Sequence, residues 1–425
     1  MHLLSLKLPL SRFLLISVCL LSFYACQTNP SDSQNDASIA YQDSLLQVLA
    51  AEEADRQKIS IPASFTPESA QALGNQLDSI FNFLHQKKGF NGTVLFTKYD
   101  EVIFKGAFGY KDLARKQPLK METAFQLASV SKQFTAMAIM MLKERGKLEY
   151  DDDIQQFIPN FPYPGITIRQ LLTHRSGLSN YTYFSDKFWP DRTIPITNED
   201  VINLFAQHQP AAYFQPNLKY EYSNTGYLLL ASIVERASGR PFATFLEENI
   251  FGPLEMTNTF TFREDLPSEN VAIGHTRNKR KRSPDYLDFV LGDKGMYSTV
   301  EDLYKWDQAL YSNKLVKWNI LEEALTGFDQ SEKKGKEDYG FGWRIKTLKN
   351  GDPVWYHGGL WHGYNTYLLR NPKDHSTIII LSNVANGSLK FLSDLQDFLY
   401  PILPPTDTAE NKNGKEGEID VLNKS

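Results

Sequence analysis

Ser129-Val130-Ser131-Lys132 places a hydroxyl and an amine three residues apart, so on a helix they share one face and the lysine stem can reach back to the serine oxygen. Such a pair suits nucleophilic catalysis. A lysine of ordinary pKa, about 10.4, is a poor base at neutral pH, and lowering it by about three units takes about 4 kcal/mol of differential environment. Burial and the positive end of a helix both push that way. The alternative is that Lys132 stays charged and acts electrostatically while another group takes the proton. Spacing alone does not select this pair, because Ser331-Glu332-Lys333-Lys334 repeats the pattern. That copy lies in a charged, solvated stretch, whereas Ser129 follows Phe125-Gln126-Leu127-Ala128 and opens an apolar helix predicted over 129–145.

Two further segments carry groups that could complete such a site. In Tyr222-Ser223-Asn224 a phenol can exchange a proton with Ser129, and the Asn224 amide can hold a substrate by donor and acceptor together. A second copy, Tyr311-Ser312-Asn313, directly follows a predicted helix, where asparagine commonly ends the element. His357-Gly358-Gly359-Leu360 stands at the end of a predicted strand. Its two glycines let a substrate approach the strand edge, and one backbone amide there, with that of Ser129, can form an oxyanion hole. Other chemistries lack their signatures: the chain has no G-x-S-x-G, no H-E-x-x-H, no P-loop and no G-x-G-x-x-G.

The elements that must position these groups follow from periodicity. Thr66-Pro67-Glu68 reads as a helix start, and Ala70, Leu73, Leu77, Ile80, Phe81 and Leu84 form one buried face. Runs over 92–98 and 101–110, separated by Tyr99-Asp100, read as a hairpin. Helical patterns recur at 198–208, 225–238, 241–249 and 300–311, strands at 354–356, 364–370 and 376–381, and a last helix at 389–399. This order predicts an α/β (α+β) fold, with an antiparallel sheet flanked by helices, built from both ends of the chain and carrying an inserted helical lobe. The main folded unit is expected over 66–402, with a sheet lobe of 66–123 plus 293–402 and a helical lobe of 124–292.

The termini read differently. Lys7 and Arg12 bracket a short basic region, and the apolar run Phe13–Phe23 ends in Ala25-Cys26, which predicts an export signal over 1–25 of the lipoprotein type with Cys26 as the lipidated residue. A largely apolar run of eleven residues is too short for a permanent span. Residues 26–65 form a tether and linker, and the polar tail 403–425 is expected to lack structure. The expected location is therefore exported and membrane-anchored, facing the periplasm or cell exterior. With a net charge of −5 there is no global cationic field for nucleic acid, although Arg277–Arg282 holds five cations in six positions.

Taken together, the three motifs in this order resemble the beta-lactamase and penicillin-binding-protein superfamily of serine hydrolases, nearest to the branch of class C beta-lactamases, D-aminopeptidases and related esterases. Leu171–Leu178 and Gly295–Leu303 carry the likeness further along the chain. The resemblance implies Ser129 as nucleophile, Lys132 and Tyr222 as coupled base and acid, Asn224 as a substrate-positioning amide and Leu360 as the second oxyanion amide. His357 falls where many members carry the lysine of a Lys-Thr-Gly motif, and Gly358 replaces its hydroxyl residue. A histidine is mostly neutral near pH 7, which weakens the case for carboxylate-directed substrates. The expected activity is cleavage of an ester, amide or peptide bond through an acyl-enzyme, without cofactor or metal. A class C-like beta-lactamase or D-Ala carboxypeptidase is the alternative, and a noncatalytic module binding cell wall or a partner is the alternative of another class. His174 and His362 are expected to be structural, and the aromatic insertion Tyr181, Tyr183, Phe184, Phe188 and Trp189 to pack as a loop.

Overall fold

The computed structural model describes residues 57–264, 269–283, 285–328, 337–385 and 389–402. The signal and Cys26, most of the tether, the Ser331 motif and the tail 403–425 lie outside them. The chain divides after Lys58, and everything below concerns the unit that begins at Ile59.

Helix α1 (Pro67–Lys88) starts at Thr66, whose hydroxyl accepts from the Ser69 amide while Ser69 returns a bond to the Thr66 backbone, and it stops at Gly89 in left-handed backbone. The hairpin β1 (Gly92–Lys98) and β2 (Glu101–Phe108) turns at Tyr99 and Asp100, both at positive φ, the geometry a two-residue hairpin turn demands. The Tyr99 amide is tied to the Asp374 carbonyl at 2.8 Å, which helps hold this glycine-free turn.

The rest of the main sheet comes from the other end of the chain: β3 (Asp338–Tyr339), β4 (Arg344–Thr347), β5 (Pro353–Trp361), β6 (Tyr364–Asn371) and β7 (Ser376–Ser382). Its order is β2-β1-β7-β6-β5-β4-β3, and every pairing is antiparallel. Both faces of its centre are buried, and the two-residue alternation of β7 shows it: Ile378 and Ile380 enter one core, Ile379 and Leu381 the other. The first core lies under α1 and α10 (Leu392–Leu399), with Leu77, Phe81 and Leu395.

The second, larger core holds the helices between the two halves of the sheet. They are α2 (Lys132–Glu144), α3 (Ile168–Leu172), α4 (Tyr181–Phe188), α5 (Asn198–His208), α6 (Asn224–Ser238) and α7 (Phe242–Leu246), followed by α8 (Val300–Ala309) and α9 (Trp318–Ala324). In α2 every residue from Lys132 to Leu142 is buried, so it is a central helix, packed against α6. The aromatic insertion is a helix rather than a loop, because Asn180 caps α4 through a side-chain bond to the Thr182 amide.

Candidate active site

Ser129 does not open the α-helix itself. It sits in a 3₁₀ turn, Ala128–Ser131, that runs directly into α2. In that geometry residues i and i+3 eclipse, so Lys132 lies under Ser129 with its Nζ 3.3 Å from the Ser129 Oγ. The turn is fixed from outside. The Leu127 carbonyl accepts the Thr366 hydroxyl of β6 at 2.7 Å, the Leu127 amide donates to the Met296 carbonyl at 2.7 Å, and Ala128 adopts left-handed backbone at φ +49°.

Lys132 is fully buried. Its other two donated bonds go to Asn224 Oδ1 at 2.9 Å and the Asp293 carbonyl at 2.8 Å, so all three ammonium protons have acceptors, none of them a carboxylate. Burial pushes its pKa down to about 7, with the Asp293 carboxylate resisting and Arg344 assisting. Tyr222 donates its hydroxyl to the Ser129 Oγ at 2.9 Å. Burial raises this phenol, against the opposing pull of its bond to Ser129, so it stays protonated at neutral pH. Among these groups the amine is the one that can accept a proton, and the phenol is a donor.

His174 explains how Tyr222 is held. Its ring packs against that of Tyr222 at a tilt of 43° with centres 4.3 Å apart, its Nδ1 accepts the Ser223 amide at 3.3 Å, and its carbonyl accepts the Glu221 amide at 2.9 Å. Burial keeps its pKa well below the usual imidazole range, which leaves Nδ1 free to accept. The structural role expected of this histidine fits these contacts. His362 stacks on Trp361 with ring centres 4.5 Å apart and lies 3.7 Å from Asp285.

Three expectations need correction. Asn224 is not given over wholly to a substrate, because its Oδ1 already accepts from Lys132; its NH₂ is the group left without such a commitment. The His357-Gly358-Gly359-Leu360 motif is not at the end of a strand but inside β5, paired with β6 as far as Trp361. Of its two glycines only Gly359 is demanded by packing: a Cβ there would overlap the Leu127 carbonyl, whereas one on Gly358 would meet nothing closer than 3.7 Å. Gly359 thus lets β5 lie against the Ser129 turn. β4 pairs with β5 only through Pro353–Tyr356, so among the described residues one edge of the strand beyond His357 has no strand partner. Leu360 lies on that stretch with its side chain 65% exposed.

His357 is buried between two bonds, Nδ1 to the Gly358 carbonyl at 2.8 Å and Nε2 with the Tyr339 hydroxyl at 3.0 Å. Burial and the nearby cations hold it well below its usual range, so it brings no positive charge. The fixed cation comes from a residue that sequence reasoning passed over. Arg344, at the start of β4, sets its guanidinium 5.4 Å from the Tyr222 ring centre and pairs with Glu337 at 3.3 Å. The turn before it is shaped by Gly342 at φ +80°, where a Cβ would press on the backbone at the start of α2. That glycine cluster was the available signal.

A serine, a lysine and a tyrosine drawn together beside a seven-stranded antiparallel sheet are the groups of a serine hydrolase. Comparison with known proteins agrees. The sequence family described as Beta-lactamase matches residues 77–397, and the chain belongs to that family. Penicillin-binding protein 4* of Bacillus subtilis strain 168 is 36% identical over 323 residues, spanning 72% of this chain and 71% of its own. A penicillin-binding protein from Bacillus halodurans superposes with a TM-score of 0.67 at 27% identity, covering 75% of this chain and 98% of that one. The octameric penicillin-binding protein homologue from Pyrococcus abyssi also gives 0.67 at 27% identity, over 76% and 77%.

Proposed function

We propose that this serine hydrolase cleaves an amide bond in an acyl-peptide ending in a free carboxylate, through an acyl-enzyme on Ser129. The observation that carries the reading is the placement of the Ser129 Oγ within 3.3 Å of the Lys132 amine and 2.9 Å of the Tyr222 hydroxyl. Neutral Lys132 takes the Ser129 proton as Oγ bonds to the substrate carbonyl carbon. The backbone amides of Ser129 and Leu360 receive the developing oxyanion. As the C–N bond breaks, Tyr222 passes its proton to the leaving nitrogen and is replenished from the Lys132 ammonium. Water then attacks the ester carbonyl, giving a proton to Lys132, and as the C–Oγ bond breaks the Lys132 ammonium returns that proton to the Ser129 Oγ, which releases the acid and restores the starting enzyme.

Two features support the substrate class. The open edge of β5 beyond His357 can pair with an extended peptide, and the Asn224 NH₂ can donate to its backbone. Arg344 supplies the carboxylate partner that neutral His357 cannot, by a planar fork of donors beside Tyr222. The likeness to penicillin-binding proteins points the same way. Export and lipidation at Cys26 belong to the same proposal and rest on the N-terminal residues; Cys26→Ser should move the protein from membrane to soluble fractions, and an unaltered distribution removes that part.

The test is a panel: a D-terminal peptide with a free carboxylate, its carboxamide, a chromogenic cephalosporin and a nitrophenyl ester, with a fluorophosphonate to label Ser129. Labelling should vanish in Ser129→Ala, and the free acid should be turned over about tenfold faster than the carboxamide. Equal rates for the two peptides remove the carboxylate assignment. Rapid turnover of the cephalosporin alone favours a beta-lactamase, whose substrates present the same anion.

A further inference from the structure

A second lysine is buried beside the first. Asp293 and Lys294 precede the strand Met296–Ser298 at 1% and 3% exposure, so two ionisable groups are withdrawn from water and need partners to compensate. Lys294 Nζ donates to the Tyr181 hydroxyl at 2.6 Å and lies 3.5 Å from Asp293 Oδ1. The Tyr181 hydroxyl in turn donates to Asp293 Oδ2 at 3.0 Å. The rings of Tyr181 and Trp361 cover the ammonium at 5.3 and 5.0 Å. The main chain of the same Asp293 accepts Lys132 at 2.8 Å. One residue therefore touches both lysines, the first through its carbonyl and the second through its carboxylate.

We propose that the Asp293–Lys294–Tyr181 cluster is a positioning and charge-balancing device for Lys132, in which the Lys294 ammonium cancels the pull of the Asp293 carboxylate on the Lys132 proton. The inference rests on Lys132 acting as the base. An uncompensated carboxylate at 293 would hold Lys132 as an ammonium and so disarm it at neutral pH. Pairing that carboxylate with a second ammonium leaves burial as the dominant influence on the first. The other groups facing Lys132 are Arg344 from β4, Tyr222, Tyr227 of α6, and His174 and His357, both kept neutral by burial. Around Lys294 the further charges are Asp288, which accepts the Trp361 indole N–H at 2.6 Å, and Lys132 itself. Lys294 and Tyr181 are positioning residues here, acting through Asp293.

The experiment measures the rate of Ser129 labelling by a fluorophosphonate against pH in the full chain, for wild type, Lys294→Met, and Lys294→Met combined with Asp293→Asn. Lys294→Met should move the acid limb upward by about one pH unit, a loss of about tenfold below the limb. Adding Asp293→Asn should return the limb to the wild-type position or lower, because the two charges are then removed together. An unmoved limb in Lys294→Met, or a further rise in the double variant, overturns the proposal. Should Lys294→Met not fold, Tyr181→Phe serves: it keeps both charges, removes one donor to Asp293, and should raise the limb by a smaller step, so an unmoved limb there is equally fatal. A wild type that never labels sinks the functional reading itself, whereas a wild type with an acid limb that the variants leave in place sinks only this inference.

Discussion

Two buried lysines lie within one neighbourhood and are treated oppositely by the chain around them. Lys132 has three neutral oxygen acceptors, a hydroxyl, an amide and a carbonyl, while Lys294 has a carboxylate, a phenol and, at 3.4 Å, the Val290 carbonyl. Neutral acceptors satisfy an ammonium without holding it charged, so burial brings Lys132 down to about 7, poised to exchange a proton. Lys294 is also lowered by burial, and Asp293 opposes the shift in both lysines; the difference is geometric, since the carboxylate lies 3.5 Å from the Lys294 Nζ whereas Lys132 meets the main-chain carbonyl of the same residue at 2.8 Å. Burial makes a lysine titratable; the partner decides whether it is used.

Substitutions can break or sharpen this contrast. The largest separation is expected between Lys132→Met, losing about 10³-fold in kcat at every pH, and Lys294→Met, whose deficit below the limb recovers as pH is raised. Wild-type activity should rise as pH passes about 7, because Lys132 must lose its proton to act as base; kcat/KM measured from pH 5 to 9 checks the sign, and a profile flat across that range contradicts it. Next, Tyr222→Phe should cost about 10²-fold in turnover of the amide substrate, a loss that raising the pH does not repair. Arg344→Ala should lower kcat/KM by about tenfold for the free-acid peptide and leave the nitrophenyl ester near wild type, a selectivity that a general loss of packing could not produce. The smallest effect concerns the strand: Gly359→Ala should lower stability by about 1–3 kcal/mol in denaturant titration, while Gly358→Ala should be close to neutral.

Much of this was legible in the sequence, and the failures have physical reasons. The helix cap at Thr66, the hairpin around Tyr99-Asp100 and the antiparallel strands near the C-terminus follow local rules of capping, turn geometry and alternation. Ser129 and Lys132 are separable from their duplicate by the apolar company they keep, and Tyr222 from its own by standing before a helix rather than after one. What escaped was set by tertiary contact. β3 and β4 span two and four residues, too short for any periodicity to register. Arg344 follows a glycine cluster, and Asp293-Lys294 reads locally as a solvated pair of opposite charges. Only the convergence of β4, α4 and the strand Met296–Ser298 on α2 shows otherwise. The packing role of Gly359 escaped because the turn it accommodates lies 231 positions earlier, at Ala128.

Ala128 itself carries a consequence. An alanine in left-handed backbone gives up about 1 kcal/mol that glycine would keep, and it does so one residue before the nucleophile, where the direction of the next N–H is decided. Ala128→Gly should therefore raise the melting temperature slightly while slowing acylation, since the freed peptide would wander between orientations. A directed-evolution campaign rewarding heat resistance alone would drift toward that replacement, and one rewarding turnover would drift back.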